Sequence, residues 1–274
     1  MRILYPVAAW LAARLSRACA VALARTLASV VWALSPERRR AVAANLARVR
    51  PESDRRALTA ATRRTFANFA ETLVDAWRAD ARGTTIEGGE ALRELLARGE
   101  GVLLWSAHLG NWELAAAALA RAGFDVAALA RAHADPGVER FFERRRARAG
   151  VRIVGRCPGA RDARRLLQGH GLLALLGDRT FGEGGRSVTL FGRPATLPAA
   201  PLALARRTGA RLVPGFVLRT GPGRYRIRFE PALPTAPELA LPLLARSLER
   251  WIRTDPEQWF VFEPVWSERA ADRP

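Results

Sequence analysis

The 274-residue sequence contains no lysine; all 44 basic side chains are arginine. It holds only two cysteines, three histidines and one methionine. Each shortage closes off some chemistry. Cys19 and Cys157 are far apart and fit no zinc spacing, and two such cysteines make no disulfide framework. A reducing compartment is therefore expected. Three histidines without a Cys/His cluster leave no ligand set, so no metal is expected. The missing lysine, beside abundant alanine, reads as a compositional bias, and nothing is drawn from arginine standing for lysine at single sites. Acidic residues are also few: 26 against 44 basic gives a formal net charge of +18. That balance calls for an acidic partner, whether nucleic acid, anionic lipid or an acidic protein. No recognised DNA- or RNA-binding motif accompanies the charge, so no nucleic acid is expected.

Hydrophobic residues make up 49% of the chain, ample for a core. Residues 3–34 are apolar and alanine-rich, with Arg14, Arg17 and Arg25 as the only charges. On one continuous helix these three fall within about 80° of each other. An arginine at the centre of a spanning helix costs about 2.5–3.5 kcal/mol, against about 0.3–0.6 kcal/mol returned by each Leu or Val. Spanning is disfavoured for residues 7–26 and borderline for 15–34. A helix lying in the interface, its basic stripe on anionic lipid, satisfies both terms. Ser35-Pro36-Glu37 starts a second helix, and Pro51 ends it. Leu58, Phe66, Phe69, Leu73 and Trp77 place a third in helical register. This helical, membrane-associating region is expected over residues 1–82.

From residue 83 to 274 the pattern becomes alternating strands and helices. Strands are expected at 84–87, 102–106, 124–129, 151–154, 172–176, 187–191, 211–218, 224–230 and 259–262. Helices are expected at 90–98, 112–121, 137–149, 160–168, 199–207 and 239–254. The fold class is α/β: a mixed, mostly parallel central sheet flanked by helices, with an antiparallel part near the end. Thr220-Gly221-Pro222-Gly223 marks the hairpin.

One stretch could carry chemistry. In Gly101-Val-Leu-Leu-Trp-Ser-Ala-His-Leu-Gly-Asn-Trp-Glu113 an apolar strand runs into a histidine, a turn and an acid. Residues five apart on a continuous helix lie roughly 140° apart, so His108 and Glu113 meet only if the chain folds back at Gly110-Asn111. Asn111 then caps the next helix, and Glu113 sits in its first turn. The pair would be a general base and the carboxylate that orients it.

Ser106-Ala-His-Leu-Gly-Asn-Trp-Glu113 resembles the His-x4-acid motif of the lysophospholipid acyltransferase superfamily, and more closely the lipid A biosynthesis (lauroyl/myristoyl) and related phosphatidylinositol mannoside acyltransferases. Other blocks are similar in the same order. They are Leu129-Ala-Arg131 with Asp135-Pro136, Asp178-Arg179-Thr180-Phe-Gly182, Phe191-Gly192-Arg193-Pro194, the segment Leu204 to Pro214, and Arg253-x-x-Pro256-Glu-Gln-Trp259. The likeness covers roughly residues 36–266.

The resemblance implies a glycerolipid acyltransferase-like fold and a membrane O-acyltransferase on the cytoplasmic face of the bacterial inner membrane, peripheral or single-span. It would move an acyl chain from an acyl carrier protein or CoA thioester to a hydroxyl of a lipid A precursor or related lipid. The thioester is then a substrate, and no cofactor is expected. His108 and Glu113 would be catalytic. Arg131, Asp178, Arg179, Asn111 and Arg193 would bind substrate or shape the site. Arg144-Arg145-Arg146 could help dock the acidic carrier protein. Ala130 and Ala132 stand beside Arg131 where the family has tyrosine and proline, and Thr180 replaces a second acid. These departures leave the acceptor open between lipid A precursors and other glycolipids or phospholipids. The alternatives are a hydrolase using the same dyad with water as acceptor, and a basic, non-catalytic membrane- or nucleic-acid-binding protein.

Overall fold

A computed structural model describes residues 4–130, 132–154, 160–180 and 184–266. Four helices come first: α1 (Leu4–Arg14), α2 (Arg17–Leu34), α3 (Pro36–Val49) and α4 (Arg55–Arg78). Strands and helices then alternate through β1 (Thr84–Glu87), α5 (Gly89–Ala97), β2 (Val102–Ser106), α6 (Trp112–Arg121), β3 (Val126–Leu129), α7 (Pro136–Arg148), β4 (Arg152–Val154), α8 (Ala160–Gln168) and β5 (Leu172–Leu176). The hairpin β6 (Gly185–Leu190) and β7 (Arg193–Pro198) follows, then α9 (Ala200–Thr208), β8 (Arg211–Gly221), β9 (Arg224–Phe229) and α10 (Pro237–Thr254). The strand expected at 259–262 is instead an irregular segment with a single bridge, Trp259 to Leu109. Strand β7 has no counterpart in the sequence reading. Phe191 and Gly192 both take positive φ, and this tight turn folds the chain back onto β6.

Among the described residues, seven strands form one sheet in the order β1-β9-β8-β2-β5-β3-β4, and β6 and β7 form a separate two-stranded sheet. All neighbours in the large sheet are parallel except β8 and β9. This is the mostly parallel α/β sheet that the alternation implies.

The two faces of this sheet differ. Side chains alternate along a strand: Leu103 and Trp105 of β2 join one core with Leu173 and Leu175, Phe216, and the helices α9 and α10. Val102 and Leu104 face the other way, with Leu114 and Leu119 of α6 and Val126, Leu172, Val213 and Val217. That second face also presents small residues, Ala128 and Ala174, toward Ala115 and Ala116 of α6.

The expected continuous N-terminal helix is broken. Leu15 and Ser16 separate α1 from α2, and the Ser16 hydroxyl accepts from the Cys19 amide at 3.2 Å, capping α2. The break moves Arg14 onto α1, and Arg17 and Arg25 then reach toward α4, Arg17 partly buried and Arg25 still half exposed. Arg17 donates to Asp75 and Glu71 of α4, both at 2.8 Å, and Arg25 donates to Glu71 at 2.7 Å. Arg219 of β8 also pairs with Glu71, and Tyr225 of β9 donates to Asp75 at 2.7 Å. Burial pushes the Glu71 carboxyl up, but its arginine partners outweigh burial and hold it at about 2. The basic stripe is therefore a joint to α4. The outward face of α2 is apolar, with Leu23, Leu27, Val30, Val31 and Leu34 exposed, and Val7 and Trp10 of α1 are exposed too.

Candidate active site

The parallel pairing of β2 with β5 builds the site. Ser106 is in register with Leu176, and the Gly177 amide donates to the Ser106 carbonyl at 2.8 Å. Two residues beyond each strand end stand His108 and Asp178. Asp178 Oδ1 lies 2.8 Å from His108 Nδ1, and its Oδ2 accepts from the His108 amide at 3.0 Å. The Asp178 side chain is fully buried, whereas the His108 side chain is 17% exposed. Burial pushes the Asp178 carboxyl up, but the charge and hydrogen bonds of His108, joined by a bond from Trp259, hold it below the usual carboxylate range. An ionised acceptor at Nδ1 places the ring proton there and leaves the Nε2 lone pair available as a base.

The turn after His108 depends on Gly110. Its φ is +61°, and a Cβ there would collide with the backbone of Val217 and Leu218 on β8. Asn111 then caps α6: its side-chain oxygen accepts from the Leu114 amide at 3.1 Å, while its Nδ2 donates to the Thr72 carbonyl of α4 at 3.1 Å. Asn111 is buried and structural in its contacts, not among the residues lining the cavity described below.

Glu113 occupies the first turn of α6 as expected, but its carboxylate is directed to Arg146 of α7. The two make a forked pair with contacts of 2.5 and 3.0 Å. Burial lowers the Arg146 guanidinium's proton affinity, and Glu113 more than offsets this, raising it. Thus the carboxylate that meets the His108 imidazole is Asp178, and the acid five residues along instead shares the cavity wall with its arginine. The arginine run of α7 is likewise turned inward in part. Arg145 donates to the carbonyls of Ala76 and Trp77 at the end of α4, and Arg146 holds Glu113, leaving Arg144 exposed.

His108, Glu113 and Arg146 line a cavity of about 500 Å³. It runs over the small-residue face of the sheet, past Ala128, Ala174 and Gly215 and beneath Ala115, Ala116 and Leu119 of α6. Tyr5 of α1, Phe69 and Leu73 of α4, and Phe142 of α7 complete its wall. It is polar at the histidine end and apolar elsewhere, within the size range of ligand sites.

The remaining expected residues fall variously. Arg131 lies outside the described residues, though Ala130 and Ala132 on either side line the cavity. Arg179 pairs with Glu263, and Arg193 is exposed at the start of β7; neither lines the cavity. Phe181 and Gly182 of the Asp-loop block, and Cys157, also lie outside the described residues.

Residues 2–268 match the family of bacterial lipid A biosynthesis acyltransferases. The chain belongs to that family. Among curated relatives of this acyltransferase family member, the phosphatidylinositol mannoside acyltransferase of Mycobacterium tuberculosis (strain ATCC 25618 / H37Rv) is 29% identical over 189 residues, 66% of this chain and 59% of the relative. Its counterpart from Mycolicibacterium smegmatis is 27% identical over 185 residues, 65% of this chain and 60% of the relative. The matched region is thus about 59–60% of the length of these relatives.

Two members of the site escaped the sequence reading. Arg146 was seen only as part of a basic run, and Trp259 only as part of a family block. The α7 spacing carries a faint signal for Arg146, since Phe142 lies four residues before it on the same helical face. Nothing local announces Trp259.

Proposed function

We propose that this protein is a membrane-bound O-acyltransferase that moves a fatty acyl chain from an acyl carrier protein or CoA thioester to a hydroxyl of a lipid acceptor. A glycolipid, of the phosphatidylinositol mannoside or lipid A precursor kind, is the acceptor class that the relatives' names suggest. The observation that carries the reading is the His108–Asp178 pair at the polar end of an apolar cavity. An alcohol is a poor nucleophile until its proton is taken. His108 Nε2 accepts that proton as the oxygen attacks the thioester carbonyl; the C–O bond forms, the C–S bond breaks, and the imidazolium returns a proton to the thiolate. General-base catalysis of this kind contributes roughly 10²–10⁴-fold. The apolar cavity would take the acyl chain. The Glu113–Arg146 pair would form the polar mouth where the carbonyl and headgroup lie, and Arg131 would bind substrate as the family resemblance implies.

Membrane attachment on the cytoplasmic face of the inner membrane, where acyl thioesters are supplied, belongs to the same proposal. By length and composition α2 could cross a bilayer. Its arginines are tied to buried carboxylates of α4, and pulling α2 into a span would strand those charges. The reading is a peripheral helix lying flat, its exposed apolar side in the lipid.

The test is a comparison of lipids from a deletion strain complemented with wild type or with His108→Ala. A lipid lacking one acyl chain in the His108→Ala strain, restored by wild type, is the expected result. Unchanged lipids, with no acyl transfer from palmitoyl-CoA to phosphatidylinositol mannosides or lipid A precursors in vitro, would count against it. Free fatty acid without acylated lipid would point to a hydrolase.

A further inference from the structure

The segment after α10 does more than close the fold. Pro256–Gln258 form a 3-10 turn, and the next residues run back against the turn that carries His108. The Phe260 amide donates to the His108 carbonyl at 2.7 Å, the Gly110 amide to the Gln258 carbonyl at 3.0 Å, and Leu109 bridges Trp259. These bonds put Trp259 in fixed register with the histidine. Its indole Nε1 donates to Asp178 Oδ2 at 2.9 Å, and its side chain is buried, edge-on to Trp266.

The segment is held in turn by polar groups from distant elements. Gln258 bonds both the amide and the carbonyl of Arg219, at 2.8 and 3.0 Å. Arg50 and Arg64 each donate to Glu257 at 2.8 Å, and Asn68 to its carbonyl at 3.1 Å. Buried Asn45 donates to the carbonyls of Val261 and Glu263. A segment that only covered apolar surface would not require this many directed bonds around one tryptophan.

From this arrangement we propose that Trp259 is a positioning residue for the general base: its indole N–H fixes the Asp178 carboxylate against His108. The inference rests on the reading of His108 as the base. A fully buried carboxylate needs donors on both oxygens. Oδ1 has the imidazole, and Oδ2 has the His108 amide and the indole. Without the indole, Oδ2 keeps one donor, the carboxylate is free to pivot, and the His108–Asp178 pair binds its extra proton more tightly. Among the described residues, the other titratable or charged groups lining the cavity with His108 are Glu113 and Arg146, which pair with each other, His133, stacked on Phe142, and Tyr5; Arg179, next to Asp178, is paired with Glu263.

The experiment replaces Trp259 by 3-benzothienylalanine, which keeps the bicyclic shape and exchanges the N–H for sulfur, alongside Trp259→Phe. Full-length protein in detergent is assayed for thiol release from palmitoyl-CoA in the presence of phosphatidylinositol mannoside as acceptor across pH, and the His108 imidazole is titrated by ¹⁵N NMR. The expected result is a kcat lower by roughly ten- to a hundredfold, the loss typical of a hydrogen bond to a charged group. The KM for palmitoyl-CoA stays within twofold. The acid limb of the kcat/KM profile, and the His108 titration, move to higher pH while His133 and His170 do not. A benzothienyl variant with wild-type kcat and an unmoved His108 titration overturns the proposal. If the wild type and His108→Ala release thiol equally, the base assignment itself falls, and the NMR titration alone then decides whether Trp259 acts on the pair. Should Trp259→Phe fail to fold, the benzothienyl variant still gives the answer.

Discussion

The same strands build two unlike faces of one sheet. On the face toward α9 and α10, Leu103, Trp105, Leu173 and Phe216 fill the space, and Phe216 stacks on Trp251 at 5.5 Å. On the other, Ala128, Ala174 and Gly215 leave a cavity, and the helices over it are fastened at the rim by arginines. Apolar packing is dense and tolerates no gap. A face that must hold a ligand gives up part of that packing, and here ion pairs and charge-to-carbonyl bonds fix the roof instead. The lesson is a division of labour: the filled face supplies stability and the hollow face supplies the site.

The largest effect should come from opening the filled face. Trp105 is fully buried, and its indole N–H has no partner among the described residues, so it acts through packing alone. Trp105→Ala should cost about 3–5 kcal/mol in denaturant unfolding; a loss below 1 kcal/mol would show that the two faces are not so different. Next, Glu71→Ala on α4 removes the carboxylate shared by Arg17, Arg25 and Arg219, leaving Arg17 with Asp75 and Arg219 with Asn68, and should cost about 2 kcal/mol.

The same carboxyl gives a pH signature. Its folded value near 2 lies below its ordinary 4.5. Its contribution is therefore complete above about 4.5 and fades as the pH falls toward 2. Hydrogen exchange should show α2 and α4 losing protection over that window before β2 and β5 do; the reverse order would break the comparison. Least in stability comes Ala174→Phe, which grows into empty space and should leave unfolding within about 1 kcal/mol of wild type. If the cavity holds the acyl chain, excluding two methylenes at about 0.8 kcal/mol each shifts preference from longer to shorter acyl thioesters by about tenfold. An unchanged chain-length profile would place the acyl chain elsewhere.

Much of the fold was legible because its signals are local. The run 102–106, the Gly110-Asn111 turn and the cap of α6 sit within a dozen residues, and strand β2 and helix α6 lie where the pattern puts them. His108 was visible for the same reason. Its alignment by Asp178 was not, because that contact follows from β2 and β5 being neighbours, and strand order is not written in either strand. Glu113 was favoured by closeness in sequence, while the structure offers it an arginine 33 residues away. The pairing of Arg17 and Arg25 with α4 was hidden likewise. A helical wheel shows which side chains share a face and says nothing of which way that face looks. Knowing the direction required Glu71 and Asp75, two acids buried on another helix.

That inverted helix bears on how the protein would hold to a surface. With its guanidiniums paired to carboxylates of α4, α2 offers lipid the oily flank of Leu23, Leu27, Val30, Val31 and Leu34. Adhesion through such a flank is the release of water from apolar surface, not of counter-ions from phosphates. Ionic strength has little grip on it, and a detergent competes for it directly.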